Sequence, residues 1–433
     1  MAESLFAQTT DPSALNKIVQ RLDQLEQTNQ RLEQENQKLK QDLEAVRKEI
    51  LDLKNPVEEK IEAQAQRIED LSQTKVEAAQ KFPVKLSGLV LMNSFLYSGR
   101  TGGEDLPLVG RLAPPVSNAG GTFRNTQLAI SYSGPHNILG GEISGRLQMD
   151  FFGGTLGTQN QLARIRTADI SMHWKNRSLA FAIDKPILSP REPDSLSQLG
   201  VSPLANSGNL WLWQPQIRYE ERVAFSEHSG LRARLGVYQT NETLNFVPPN
   251  TAISRSRPAA QGRLELFHEL ADGQRFEIAT GFHRSESLAA GMSIASYAFS
   301  VDWLVPLAPR LDWTGFAFTG ENLAGLGLGG LRQGLTFRRS GPVGVRSKGG
   351  WTQGTLAFSS RVKFHLLAGM HDDLNRDLAG DGVGRNLSYG ANLHFRLAPN
   401  VIFGVEALQI RTQYLQSGNR LVNRYDVALG YLF

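Results

Sequence analysis

Two hydrophobic periods divide the chain. From the N-terminal side, Leu15, Ile18, Leu22, Leu25, Leu32, Leu39, Leu43, Val46, Ile50 and Leu53 recur at alternating steps of three and four, and Asn29 and Asn36 fill the two core positions that the apolar residues skip. That spacing keeps one seam along an α-helix and, with Glu, Lys, Arg and Gln flanking it, predicts a coiled coil. Asp11-Pro12 supplies a capping oxygen followed by proline at the first helical position. Pro56 ends or kinks this helix, and Ile61, Ile68 and Leu71 carry a weaker one to about Gln80. An apolar seam must be buried against another helix, so residues 1–82 are expected to drive oligomerisation. A buried Asn fixes the register and is compatible with two or three strands.

After Lys81 the period becomes two. The last stretch shows it: Tyr425, Val427, Leu429, Tyr431 and Phe433 fall on one face, and Arg424, Asp426, Ala428 and Gly430 on the other, with only Leu432 out of pattern. Side chains of a strand alternate faces, so this is a β-strand with aromatics near both ends, as where a strand crosses two membrane–water interfaces. Fifteen similar runs precede it, beginning with Val84–Tyr97. They are joined alternately by short turns, such as Gly134–Asn137, and by long loops at Ser98–Gly121, Pro186–Leu210, Asn241–Gln261 and Gly320–Gly350. An even number of antiparallel strands with this alternation describes an outer-membrane barrel with both termini on the periplasmic, short-turn side. The expected class is thus an all-β transmembrane barrel of 16 antiparallel strands over residues 83–433, preceded by an N-terminal α-helical coiled coil. A soluble sandwich would have to bury about 350 residues, beyond the usual size of one core.

Composition narrows the reading. No apolar run approaches the ~18–20 residues of a membrane helix, whereas a barrel strand is only half apolar. The absence of cysteine removes disulfide and thiol chemistry, and a net charge of +4 spread through the chain does not imply a nucleic-acid partner. Met1–Gln8 has neither a basic region nor an apolar core, so the barrel reading expects a secretory signal that was trimmed or lies upstream of Met1.

Charge collects on single strand faces. Glu142, Arg146 and Asp150, then Arg218, Glu220 and Arg222, then Arg232 and Arg234, then Arg361 and Lys363, and finally Arg396 each oppose an apolar face. A lipid-facing Arg or Lys at mid-bilayer costs ~2–4 kcal/mol, so these residues are expected to face a wet lumen. Taken singly, each could be a plain solvated wall residue. Together they show arginine far outnumbering lysine, and rings of fixed cations favour anions, but acidic residues share the wall, so a transverse field across a constriction is an equal expectation. Arg164 and Arg166 share parity with Ile170, Met172 and Trp174, which calls for either a bulge or a strand whose lower half faces lipid. The third outer loop, Pro186–Leu210, is expected to fold into the lumen as a constriction, with Arg191, Glu192 and Asp194 facing the wall arginines; the alternative is a loop packed outside, with the arginines only neutralising Glu142, Asp150 and Glu220.

The chain resembles the DcaP-like trimeric outer-membrane porins. The resemblance rests on the coiled-coil start, Val84–Gly88, Gln148-Met149-Asp150-Phe151-Phe152-Gly153, Arg164-Ile165-Arg166, Gln214-Pro215-Gln216-Ile217-Arg218-Tyr219 and the terminal strand to Phe433, taken in order. It implies a homotrimer in the bacterial outer membrane, a periplasmic coiled coil and passive diffusion of small, preferentially anionic, carboxylate-bearing solutes. Phe433, with Tyr425 and Tyr431, resembles the C-terminal signal read by the barrel-insertion machinery. Where the family has Gly-Gln after the fifth strand, this chain has Ile183-Asp184. The competing expectation is a structural protein that contacts the cell wall through its coiled coil and conducts little or nothing.

Other signals fall short. Asp373-x-Asn375-x-Asp377 followed by Asp381 resembles the start of a calcium loop, but Leu378 and Gly384 stand where an EF-hand needs Gly and Glu. Gly325-x-Gly327-x-Gly329-Gly330 lacks the strand-to-helix setting of a nucleotide site. The scattered histidines have no metal-ligand spacing, and His371 beside Asp372 has no evident third catalytic partner. Neither an enzyme activity, a cofactor nor a metal is expected.

Overall fold

The computed structural model describes residues 83–433 other than 104–105, 115, 154–160, 243–252, 256–257, 271–272 and 327–330, together with helical positions 21, 31, 33, 35, 37–44 and 46. The chain divides into two compact units, Met1–Phe82 and Pro83–Phe433. In the first, Leu39, Leu43 and Val46 are helical and exposed. The remaining seam positions, Leu15, Ile18, Leu22, Leu25, Asn29, Leu32, Asn36, Ile50 and Leu53, lie outside the described residues.

The second unit is one antiparallel sheet closed on itself. Its eighteen hydrogen-bonded segments include two pairs that continue single strands, so eighteen less two gives sixteen strands. In chain order they are β1 (Val84–Tyr97), β2 (Asn118–Thr122 with Gln127–Ile138), β3 (Gly141–Gly153), β4 (Leu162–His173), β5 (Arg177–Asp184), β6 (Gln214–Ala224), β7 (Ser229–Tyr238) and β8 (Ile253–Arg255 with Ala259–Glu269). There follow β9 (Arg275–Ala289), β10 (Met292–Ala308), β11 (Leu311–Glu321), β12 (Arg346–Ala357), β13 (Val362–Asp373), β14 (Val383–Ala398), β15 (Val401–Tyr414) and β16 (Gly418–Leu432). Each pairs with its neighbours, and β1 pairs with β16 from Leu89–Leu432 to Tyr97–Arg424. Closure leaves no unpaired edge. Gly88 and Phe433 exchange two backbone hydrogen bonds, 2.9 and 3.1 Å, at the end of that seam. The Phe433 ring fills the space over Gly88, where any Cβ would sit 2.5 Å from it.

The period-two reading places the faces of most strands correctly. On β16, Tyr425, Val427, Leu429 and Tyr431 are exposed, while Arg424, Asp426 and Ala428 are buried inside. Several boundaries differ from expectation. The β2–β3 hairpin turns at Leu139-Gly140, both at positive φ, rather than at Gly134–Asn137, which a register shift between Ser133 and Asn137 absorbs into the strand. The β9–β10 connection is the two-residue turn Ala290-Gly291, because both strands run well beyond the alternating core read from the sequence. The expected loop Ser98–Gly121 already contains the start of β2, and Gly320–Gly350 contains a small hairpin, Leu335–Arg338 with Gly341–Gly344, and the start of β12. On β4, Gln148 pairs with Thr167 and Met149 with Ile165, so Arg166 is the extra residue of a bulge. The bulge reverses parity, turning Ile165 and Ile170 outward while Arg166 is buried.

The lumen is not uniformly wet. Leu188, Leu204 and Leu210 of the β5–β6 loop pack with Phe95, Tyr97, Phe316, Phe318, Trp351, Leu367, Leu408 and Ile410 in one buried apolar cluster. Alternation alone could not reveal this, because a large inward residue reads like an outward one out of register.

Candidate pore constriction

The site is built by the segment between β5 and β6, which lies inside the barrel and is stitched to its wall almost all the way round. Ile187 N–H donates 2.6 Å to Gln261 of β8, and the Ser300 hydroxyl of β10 donates 3.1 Å to Leu188 O. Arg191 reaches Asp302 of β10 at 2.7 Å and Glu277 of β9 at 2.5 Å. Asp194 and Gln353 of β12 exchange hydrogen bonds of 2.7 and 2.6 Å. Ser195 and Gln198 both donate to Glu406 of β15. Asn93 of β1 donates 3.0 Å to Leu196 O, and Asn125, beside β2, donates 3.2 Å to Ser197 O. Arg166 and Arg164 of β4 donate to Leu199 O and Gly200 O. Finally, Asn386 at the loop half of β14 donates 2.9 Å to Asn206 O. A buried polar backbone needs partners, and here the wall supplies them in place of water.

Close approach also depends on bare wall. At Gly369 of β13 a Cβ would lie 2.2 Å from Ser207 O, and at Gly281 of β9 it would lie 3.0 Å from Leu188 Cβ. The loop backbone rests on these glycines.

On the wall itself, charges alternate in a continuous ladder. Arg234 pairs with Glu220, which Arg232 approaches at 3.6 Å; Arg232 meets Glu265 at 2.8 Å, and Glu265 meets Arg263 at 2.5 Å. Arg263 and Arg191 share Asp302. Arg191 continues to Glu277, Arg275 at 3.4 Å, then Glu269, and ends at Arg222, whose guanidinium lies 4.4 Å from the Phe267 ring centroid. A second group lies on β2–β4. Asp150, fully buried, holds Arg164 at 2.7 Å and Arg166 at 3.2 Å. Arg124 stacks on Phe152 at 4.2 Å, and Arg164 and Arg166 stack on Trp213 at 4.9 and 4.4 Å. Stacking on ring faces holds the guanidiniums without neutralising them.

The expected residues therefore form two clusters, with five more standing apart from them. Arg164, Arg166 and Asp150 come together; so do Glu220, Arg222, Arg232 and Arg234, joined by Arg191 of the loop. Arg218 pairs with Asp184 at 2.9 Å, and Arg146 is exposed, opposite Asp169 in register. Arg361, Lys363 and Arg396 are exposed at the turn end and meet none of the others. One expectation is corrected. The loop carboxylates do not form ion pairs with the arginines of β6 and β7: Glu192 pairs with Lys185 at 3.2 Å, and Asp194 turns to Gln353. The loop crosses toward β9–β15, where its Arg191 meets wall acids instead.

Sequence reading missed Arg263, Glu265, Glu277, Asp302, Glu406, Arg124 and Trp213. Arg263 and Glu265 carried the same alternating signal, opposed by Leu264 and Leu266, but shared their face with Phe267. His371 pairs with Asp373 at 2.9 Å, not with Asp372, and Ser347 donates 2.6 Å to the same Asp373 oxygen. The histidine is thus not placed as a base toward that serine. The carboxylates of the calcium-like run separate: Asp377 binds Arg346, and Asp381 caps Gln416 and Ser417. Among the described residues no group of three or more His, Asp or Glu is spaced to hold a metal ion.

No family model and no curated protein matches the sequence. Solved structures do match the fold. The outer membrane channel DcaP of Acinetobacter baumannii superposes with a TM-score of 0.67 at 14% identity, over 81% of this chain and 97% of its own. An anion-selective porin from Comamonas acidovorans gives 0.51 at 10% identity, over 81% of this chain and 99% of its own.

Proposed function

We propose that this chain is an outer-membrane porin that passes small solutes by diffusion and prefers anions. The observation that carries this reading is the β5–β6 loop laid inside a closed sixteen-stranded barrel, which narrows a lumen whose β3–β7 wall is rich in arginine. The exposed apolar exterior, exemplified by Leu86, Val90, Phe299 and Leu366, suits lipid contact. The folds it shares belong to an outer membrane channel and an anion-selective porin, which supports the same reading. In this reading Arg146, Arg164, Arg218, Arg222, Arg232 and Arg234 line the passage, with Glu220 and the buried Arg166 and Asp150 holding their neighbours in place. Guanidiniums remain charged at any working pH and fork toward carboxylates, so a carboxylate-bearing solute is the class expected.

The N-terminal segment is assigned to assembly. Leu39, Leu43 and Val46 occupy seam positions on one helix face and are 64%, 65% and 54% exposed in the single chain, so a partner helix is needed to cover them. A homotrimer with a periplasmic coiled coil fits that need.

Reversal potential in a salt gradient tests the proposal. Replacing Arg218 with Arg222, or Arg232 with Arg234, by serine in pairs should lower anion preference and raise conductance as the side chains shorten. If neither pair changes either quantity, these arginines do not line the narrow part. The second reading, a closed structural protein, draws on the apolar cluster that fills part of the loop half of the lumen. It predicts no conductance in planar bilayers.

A further inference from the structure

At the loop end, beyond the ladder of wall charges, the β1–β2, β11–β12 and β13–β14 loops close with Asn206 and Tyr414 around a cavity of about 600 Å³. That volume lies within the ~300–1,000 Å³ of small-molecule sites, which are mostly apolar with a few convergent polar groups. Leu108, Leu331, Leu335 and Phe337 give the apolar lining, and Arg111 and Arg332 supply two guanidiniums. Among the described residues neither arginine has a carboxylate in ion-pair range. Arg111 donates 2.9 Å to Gly102 O, and Arg332 Nε is buried with no hydrogen-bond partner among the described residues. Arg332 also sits at φ 55, a left-handed conformation that costs a non-glycine residue energy. The carboxylate of the lining, Asp381, already accepts from the Gln416 and Ser417 N–H groups at 2.7 and 3.0 Å and from the Ser417 hydroxyl. Burial and the neighbouring Arg111 together depress the Arg332 pKa. A guanidinium does not relieve such burial by losing its proton, so an anion entering the cavity would stabilise it.

We propose that this cavity is a binding site for an amphiphilic monocarboxylate, its head between Arg111 and Arg332 and its apolar body against Leu108, Leu331, Leu335 and Phe337. The site is separate from the arginine wall of β3–β7 and does not depend on that wall conducting. It would gather ligand at the loop-end mouth.

The test is isothermal titration of the full chain in lipid nanodiscs with hexanoate, hexanamide and acetate. Hexanoate should bind saturably, and hexanamide and acetate at least tenfold more weakly. Arg332→Gln should weaken hexanoate at least tenfold, and Arg332→Lys should recover most of the loss. Phe337→Ser should weaken hexanoate and leave acetate unchanged, which keeps the test decisive if Arg332→Gln does not fold. The proposal is overturned if wild type shows no saturable hexanoate binding, if hexanamide binds as well as hexanoate, or if folded Arg332→Gln or Phe337→Ser binds hexanoate like wild type. Conductance plays no part in these readouts, so loss of the channel reading and loss of this site are separable.

Discussion

Single residues in the lumen act through sharing. Asp302 is fully buried and accepts from Arg191 at 2.7 Å and from Arg263 at 2.8 Å twice, so it ties the loop to the wall and compensates a guanidinium that is itself buried. Asp302→Asn keeps the shape and removes the charge. Breaking a buried pair costs about 3–5 kcal/mol, and because Glu265 and Glu277 still hold the two arginines, about 3 kcal/mol is expected. A denaturant midpoint for the folded barrel would read it; an unmoved midpoint would show that the ladder is held without Asp302. This residue was invisible to sequence reading, since a lone Asp between Val301 and Trp303 gives no hint of which arginines will surround it.

At the scale of elements, the strands were legible and the loop path was not. Alternation found every barrel strand and most faces, because one side of each must meet an apolar exterior. It misplaced strand ends where both faces become polar above the apolar band, as in β9 beyond His283. The bulge at Arg166 shows how a single extra residue restores parity that the sequence left open. The loop could be expected to enter the lumen from its length, but its route is written in wall glycines whose meaning appears only in the fold. Gly369→Ala puts a methyl group 2.2 Å from the Ser207 carbonyl oxygen, which belongs to backbone and cannot swing aside. The loop must lift there, and single-channel current should become larger or noisier than wild type. Identical traces would mean that this contact does not bear on the passage.

For the whole molecule, the expected division is between assembly and barrel. Deleting residues 1–80 should weaken trimers in detergent and leave a barrel that resists dissociation by cold SDS, since the closed sheet begins at Val84 and forms its own hydrogen bonds. Loss of β-structure in the truncated chain would refute that division. Phe433 closes the seam through its two backbone bonds to Gly88 and covers that glycine with its ring. Phe433→Ala should therefore reduce folded barrel in the membrane, read by heat-modifiable mobility on a gel; normal amounts would mean that the ring is dispensable for assembly.

What the amino-acid sequence determined by itself is local and periodic: sixteen strands and the side most of them present to an apolar surround, with a helical seam expected before them. Those follow from the pitch of strand and helix, which any short window of the chain already contains. The tertiary structure alone decided which charges meet. Arg191 lies 86 residues from Glu277 and 111 from Asp302, and Ser195 lies 211 from Glu406. Closing the sheet brings those strands to one lumen, and the loop's path across it selects wall acids for its arginine. Pairing of that kind depends on distances through space, which no periodicity along the chain encodes.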